Sequence, residues 1–183
     1  MANQVFCALQ SYIERWQHWC KSRHLEPKQE FDADWLSPCQ QGKPREDEIV
    51  WWPSERGRAG DFSNVEQALE LSLHSDVCQF YSHYFSGPLP ALYKGLAIEL
   101  VQPWNEEDFS RLQENLIGHL LMQKKLKRAP TLFIASCRDE MQIISVDNQS
   151  GEVLLEKLSK GQRIPLGVDL SGFLDRLEPW LGD

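Results

Sequence analysis

WNEEDFSRLQENLIGHLLMQKKLKRAPTLFIA, residues Trp104 to Ala135, decides the fold class, because it reads as a long helix running into a buried strand. Asn105 is placed to cap the helix, with Asp108 three residues on as its capping-box partner. Glu106, Glu107 and Asp108 fill the first turn, and Lys124, Lys125, Lys127 and Arg128 fill the last. Each sign sits at the end of the helix dipole that favours it. Phe109, Leu112, Leu116 and Leu120 recur at helical spacing, and Ile117 and Leu121 widen the stripe. Pro130 is expected to stop the helix. The unbroken apolar run Thr131 to Ala135 then predicts a central strand covered on both faces.

Outward from this stretch the chain keeps mixing helical and strand patterns. Asn3 to about His24 predicts an amphipathic helix with Val5, Leu9, Tyr12, Ile13 and Trp16 on its buried face. Leu25 to Asp47 is polar and broken by Pro27, Pro38, Gly42 and Pro44, an irregular segment lying partly against the core through Phe31, Trp35 and Leu36. Glu48 to Trp52 predicts a strand ended by Pro53. Its adjacent tryptophans point to opposite faces, one into the core and one nearer the surface. Ser63 or Asn64 is expected to cap a helix, and Asp76 to Phe85 predicts another. Leu92–Tyr93 and Leu96–Val101 pair around Gly95, and Met141–Val146 pairs with Glu152–Leu155. Lys157 to Arg163 reads as a basic, flexible connection, and a short helix started by Asp169 or Ser171 closes the chain. The prediction is α+β: one domain over residues 1–183, a mostly antiparallel sheet with helices packed against it.

Composition narrows the function classes. The 19 cations stand against 27 acids, a formal charge of −8, which disfavours nucleic acid and anionic lipid and favours a basic protein surface. Five separated cysteines form no C-x-x-C pair, and no signal-peptide pattern opens the chain, so reduced thiols in a cytoplasmic protein are expected. No apolar run approaches the roughly 20 residues that cross a bilayer.

The residues propose no enzyme. The five histidines show no metal-ligand spacing, and no nucleophile elbow or phosphate-binding glycine loop occurs. Ser37-Pro38-Cys39 lacks an identifiable base, and His119 beside the apolar stripe reads as structural. No catalytic residue, cofactor, metal or small-molecule substrate is therefore assigned. The uneven feature is charge: from Ala59 to Asp108 the only Lys or Arg is Lys94. Glu66, Glu70, Asp76, Glu99, Glu106, Glu107 and Asp108 are the candidate partner-binding acids if these elements adjoin, with Trp52 a candidate aromatic anchor.

The string Gln113 to Leu120, with Gln123-Lys124 and Pro130 to Ala135, resembles the Syd family of bacterial SecY-interacting proteins. Ser37-Pro38-Cys39, Val50-Trp51-Trp52-Pro53, Asn64-Val65-Glu66, Phe80-Tyr81, Gly87, Ile144-Ser145-Val146 and Ser150 to Val153 follow in matching order, whereas the first residues and most of Pro27 to Arg45 match poorly. The resemblance implies an SMI1/KNR4-like α+β fold and a non-enzymatic protein peripheral to the cytoplasmic side of the inner membrane of Gram-negative bacteria. Its implied partner is SecY, through whose cytoplasmic loops membrane association would be indirect, and whose improperly assembled form it would sequester, monitor or restrain. The wider superfamily offers an alternative, an immunity-type protein that neutralises a toxin.

Overall fold

The chain begins with α1 (Gln4–Ser22), capped by Asn3, whose side-chain oxygen accepts from the Phe6 amide. The computed structural model describes residues 3–167 and 169–182; Met1, Ala2, Val168 and Asp183, within the span 1–183 expected for the domain, lie outside the described residues. Strands β1 (Lys28–Glu30), β2 (Gln40–Arg45) and β3 (Glu48–Trp51) form a small antiparallel sheet in the order β1-β3-β2. β4 (Ser54–Glu55) precedes α2 (Ser63–Leu69) and α3 (Ser75–Ser82) and pairs with β5 (Tyr84–Phe85).

β6 (Leu89–Tyr93) and β7 (Leu96–Leu100) lead into α4 (Glu106–Lys125), then β8 (Thr131–Cys137), β9 (Gln142–Asp147), β10 (Val153–Lys157) and β11 (Gln162–Gly167). α5 (Leu170–Asp175), capped by Asp169, and β12 (Glu178–Pro179) complete the chain. The main sheet has seven strands in the order β11-β10-β9-β8-β7-β6-β12, antiparallel at every pairing, with β8 at its centre. The architecture is α+β, and it forms one domain.

Packing follows the stripes. Phe109, Leu112, Leu116 and Leu120 of α4 are buried, as are Val5, Leu9, Tyr12, Ile13 and Trp16 of α1. Trp16 stacks on Trp51 at 5.8 Å between ring centroids, and Trp51 meets Trp104 edge-on at 6.1 Å. This row of indoles ties α1, the small sheet and the start of α4 together. Gly87 makes room for it, since a Cβ there would come within 2.6 Å of the Trp51 ring.

A buried polar network fixes α4 on the sheet. The Gln123 side chain accepts from the Thr131 amide at 2.8 Å and donates to the Thr131 hydroxyl at 2.6 Å. The hydroxyls of Thr131 and Ser145 donate to Glu156, and Arg163 Nε donates to it at 3.1 Å from the neighbouring strand. Burial works against ionising Glu156, yet these hydrogen bonds and the Arg163 charge outweigh it and hold its pKa below the ordinary value. His119 sits 3.0 Å from the Gln123 amide nitrogen, which donates to an unprotonated ring nitrogen. Burial keeps the His119 pKa below 6.5.

Several expectations need correcting. Leu25 to Asp47 contains two strands, β1 and β2, hidden because β2 leaves five of its six residues exposed and shows no alternation. Lys157 to Arg163 is a 3-10 turn, Leu158–Lys160, entering β11 rather than a flexible connection. α4 ends five residues before Pro130, where Lys127 turns left-handed at φ 55° and the Arg128 amide bonds back to Gln123. α2 takes its cap from Asp61, which accepts from the amide and hydroxyl of Ser63, so neither Ser63 nor Asn64 fills that role. α3 stops at Ser82, and Tyr84–Phe85 pairs as β5.

The network has a pH signature. His119 and half-buried His83 both have depressed pKa values, so the stability they contribute is present above about pH 6.5 and declines as pH falls toward their folded values. Glu156, depressed from the carboxylate range, contributes stability lost at lower pH still. Urea unfolding across pH should therefore show loss in two windows. Replacing His119 by Gln should shrink the upper one and Glu156 by Gln the lower one. An unchanged pH profile in both variants would contradict this account.

Candidate partner-binding surface

The start of α4 is assembled by contacts distant in sequence. Asn105 Oδ1 accepts from the Asp108 amide at 2.8 Å, and Asp108 Oδ2 accepts from the Trp104 amide at 2.8 Å. The returning arm of the capping pair thus reaches one residue ahead of the cap. The segment Trp35 to Ser37 clamps the same turn: Trp104 Nε1 donates to Trp35 O, Asn105 Nδ2 to Leu36 O, and Ser37 Oγ to Trp104 O. Ser37 is therefore occupied structurally. Buried Cys39 beside it has its thiol pKa pushed by burial to about 11, which disfavours the thiolate that a nucleophile there would need.

Glu106 and Glu107 project outward, with side chains 72% and 69% exposed. Both oxygens of Glu106 accept from Arg56 Nη2 at 2.8 Å, while Arg111 approaches Glu107 at 3.6 Å. Arg56 is the least expected part of the site. Its side chain is 6% exposed and lies between Phe85 and Phe109, with its guanidinium carbon 4.6 and 4.4 Å from the ring centroids. Its Nε and Nη1 are buried without hydrogen-bond partners. Gly60 leaves the space that Arg56 needs, since a Cβ there would come 2.9 Å from Nη1 and 2.6 Å from Phe109.

Arg56, Asp61, Asn64, Glu106 and Gln113 line a cleft of about 380 Å³. The amide and hydroxyl of Ser63 hold the exposed Asp61 carboxyl below its usual pKa, so it stays ionised. The structure thus gathers Glu106, Glu107 and Asp108, and adds Asp61.

The other candidates lie elsewhere. Glu66 accepts from the Leu73 amide at 2.8 Å and closes the turn after α2. Glu70 lines a cleft with Lys124 and Arg128, at the opposite end of α4. Asp76 stands 4.0 Å from His74 at the start of α3, and Glu99 lies on β7 opposite Pro90 and Ser136. Trp52 is half-buried against Trp16 with the Lys21 ammonium 5.2 Å from its ring centroid. It lines a cleft of about 570 Å³, where Lys28, Lys43 and Arg45 outnumber Glu26 and Glu48.

Sequence reasoning missed Arg56, Arg58 and Arg111 as neighbours of the acids. Arg56 lies three residues outside the cation-poor window and returns through a contact 50 residues long. Among the described residues, no group of three or more His, Cys, Asp or Glu is arranged to hold a metal, and no helix is long and apolar enough to cross a membrane.

Comparison with known proteins gives a near-complete match. The family described as Syd protein (SUKH-2) matches residues 6–179. A relative named Protein Syd from Aeromonas salmonicida is 49% identical over 178 residues, covering 97% of this chain and 98% of its own. Those from Psychromonas ingrahamii and Klebsiella pneumoniae are 47% and 41% identical, covering 92% and 99% of this chain and 92% and 100% of their own.

The Arg56 geometry gives a stability test. Leaving a buried polar group unpaired costs about 1–3 kcal/mol, and the partner of Arg56, Glu106, is exposed to water. Replacing Arg56 with Met should therefore keep the packing between the two rings and leave unfolding free energy unchanged or higher. Replacing it with Ala should empty that space and cost about 2–4 kcal/mol. Equal losses in both variants, measured by urea unfolding, would show that the ion pair rather than the packing holds this corner.

Proposed function

The chain belongs to the Syd family, and from that premise we propose a non-enzymatic binding protein whose partner is SecY, the channel subunit of the protein translocase. The observation that carries the reading is the near-full-length identity to proteins named Syd. The chemistry of the surface is compatible with it. Cytoplasmic loops of membrane proteins are rich in Lys and Arg, and the start of α4 presents Glu106, Glu107 and Asp61 to solvent beside a cleft.

Each Glu106 oxygen gives one acceptor position to Arg56 and keeps another free, so the pair can still receive an ammonium or guanidinium. The rings around Arg56 immobilise it, and Glu106 is thereby held in one orientation before the partner arrives. Asp108 acts through the backbone, fixing the turn that carries the other two. In this reading Glu70, Asp76, Glu99 and Trp52 form no part of the contact. The protein sits peripherally on the cytoplasmic side of the inner membrane through SecY and sequesters, monitors or restrains improperly assembled channels. The relatives quoted are named Protein Syd and none is named for a toxin, so the immunity reading gains no support from them.

Electrostatic docking makes the encounter salt-sensitive, because the screening length falls from about 10 Å at 0.1 M to about 3 Å at 1 M ionic strength. Purified protein should bind SecY-containing membranes more than SecY-free ones at low salt. The Glu106→Gln/Glu107→Gln variant should associate about tenfold more slowly. Absence of SecY-dependent binding at low salt would overturn the reading.

A further inference from the structure

The other end of α4 has the opposite character. Lys124, Lys125, Lys127 and Arg128 are exposed there. The Arg128 guanidinium lies against the turn at Gly161, where an added Cβ would come within 2.8 Å, and Arg163 Nη2 donates to Ala129 O at 2.9 Å. The helix end and the Leu158–Lys160 turn therefore lie side by side, and exposed Lys160 joins the group. None of these five cations is ion-paired to a described carboxylate, in contrast to the arginines at the start of α4. Glu70 is the one acid lining the cleft that Lys124 and Arg128 share.

Apolar side chains stand among these cations. Leu121, Met122 and Leu126 are 51%, 55% and 52% exposed, and Leu158 is 38% exposed. These are four of the seven exposed large hydrophobic side chains among the described residues, so the exposure is concentrated here rather than scattered.

We propose that this end of α4, with the Leu158–Lys160 turn, is a docking surface for an anionic lipid bilayer. Flexible lysines serve as point charges for phosphate headgroups spread in a plane, while Leu and Met side chains between them enter the boundary beneath. Nucleic acid fits less well: the Leu and Met side chains find no partner on a phosphate backbone, and no aromatic residue is interleaved for base stacking. The net charge of −8 argues against lipid only when averaged over the whole surface. The 20 residues of α4 separate the two ends by about 30 Å, against a screening length of about 8 Å in physiological salt. A bilayer at the basic end is thereby screened from the acids at the other.

The test needs no SecY, so its failure and that of the SecY reading are distinguishable. The full chain is sedimented with vesicles of phosphatidylcholine alone and of an equimolar mixture with phosphatidylglycerol. Binding should require phosphatidylglycerol and weaken with salt. Each lost cation should lower partitioning about fivefold, so Lys124→Gln/Lys127→Gln loses about 25-fold. Met122→Ser/Leu126→Ser should also weaken it, and Glu106→Gln/Glu107→Gln should leave it unchanged; all these positions are solvent-exposed, and unchanged melting temperatures check the fold. No binding to either vesicle, equal binding to both, or binding indifferent to the lysine changes would overturn the proposal. So would full competition by glycerol 3-phosphate at the same phosphate concentration, which would mark a free-phosphate site. A salt-sensitive dimer abolished by the lysine changes, without vesicle binding, would instead identify a second copy as the occupant.

Discussion

Between α4 and the sheet, hydrogen bonds run from Gln123 through Thr131 to Glu156 and on to Arg163, inside a contact otherwise made mostly of apolar side chains. An apolar stripe alone lets a helix slide or rotate by a fraction of a turn at little cost, because its contacts are non-directional. Gln123 removes that freedom by bonding both the amide and the hydroxyl of one residue. The buried carboxylate is tolerable only because three donors reach it and one carries a charge. Arg163 comes from β11, so completing the network also requires the last hairpin of the sheet to be in place. With the helix register fixed, its acidic first turn meets the Trp35–Ser37 clamp and its basic last turn meets the Leu158–Lys160 turn.

What could be seen in the sequence were the features whose cause is local. The Asn105 cap, the helical stripe, the β8 run, the Asp169 cap and the deeper burial of one of the two adjacent tryptophans, Trp51, all depend on neighbours a few residues away. β1 and β2 could not be seen: Lys28-Gln29-Glu30 and the exposed run containing Gly42 and Pro44 carry no burial pattern. β11 was masked by Pro165, which is acceptable at a sheet edge, and by Arg163, whose charge looks solvated until Glu156 is found across the hairpin.

The site was less legible than the fold for the same reason. A cation-poor window along the chain says nothing about which cations return to it in space, and Arg56 returns from 50 positions away to grip Glu106. Conversely Glu70, inside that window, is carried to the basic end of α4. The acids that do meet are those the helix itself gathers within its first turn, joined by Asp61 from the loop before α2. The surface they make has local charge order rather than a large excess of negative charge. This distribution assigns the two ends of α4 to different contacts: the acidic one, in our proposal, to a basic protein, the basic one to lipid. Both assignments rest on unpaired or half-paired charges held at the ends of α4 and on the turns beside them.

The measurement that tests this division most directly is amide hydrogen exchange of the protein on lipid-only vesicles and on vesicles containing SecY. The account predicts lipid-dependent protection at 121–128 and 158–161 in both samples, and SecY-dependent protection at 60–63 and 104–108 in the second alone. The same protection pattern in both samples, or SecY-dependent protection confined to the basic end, would contradict it.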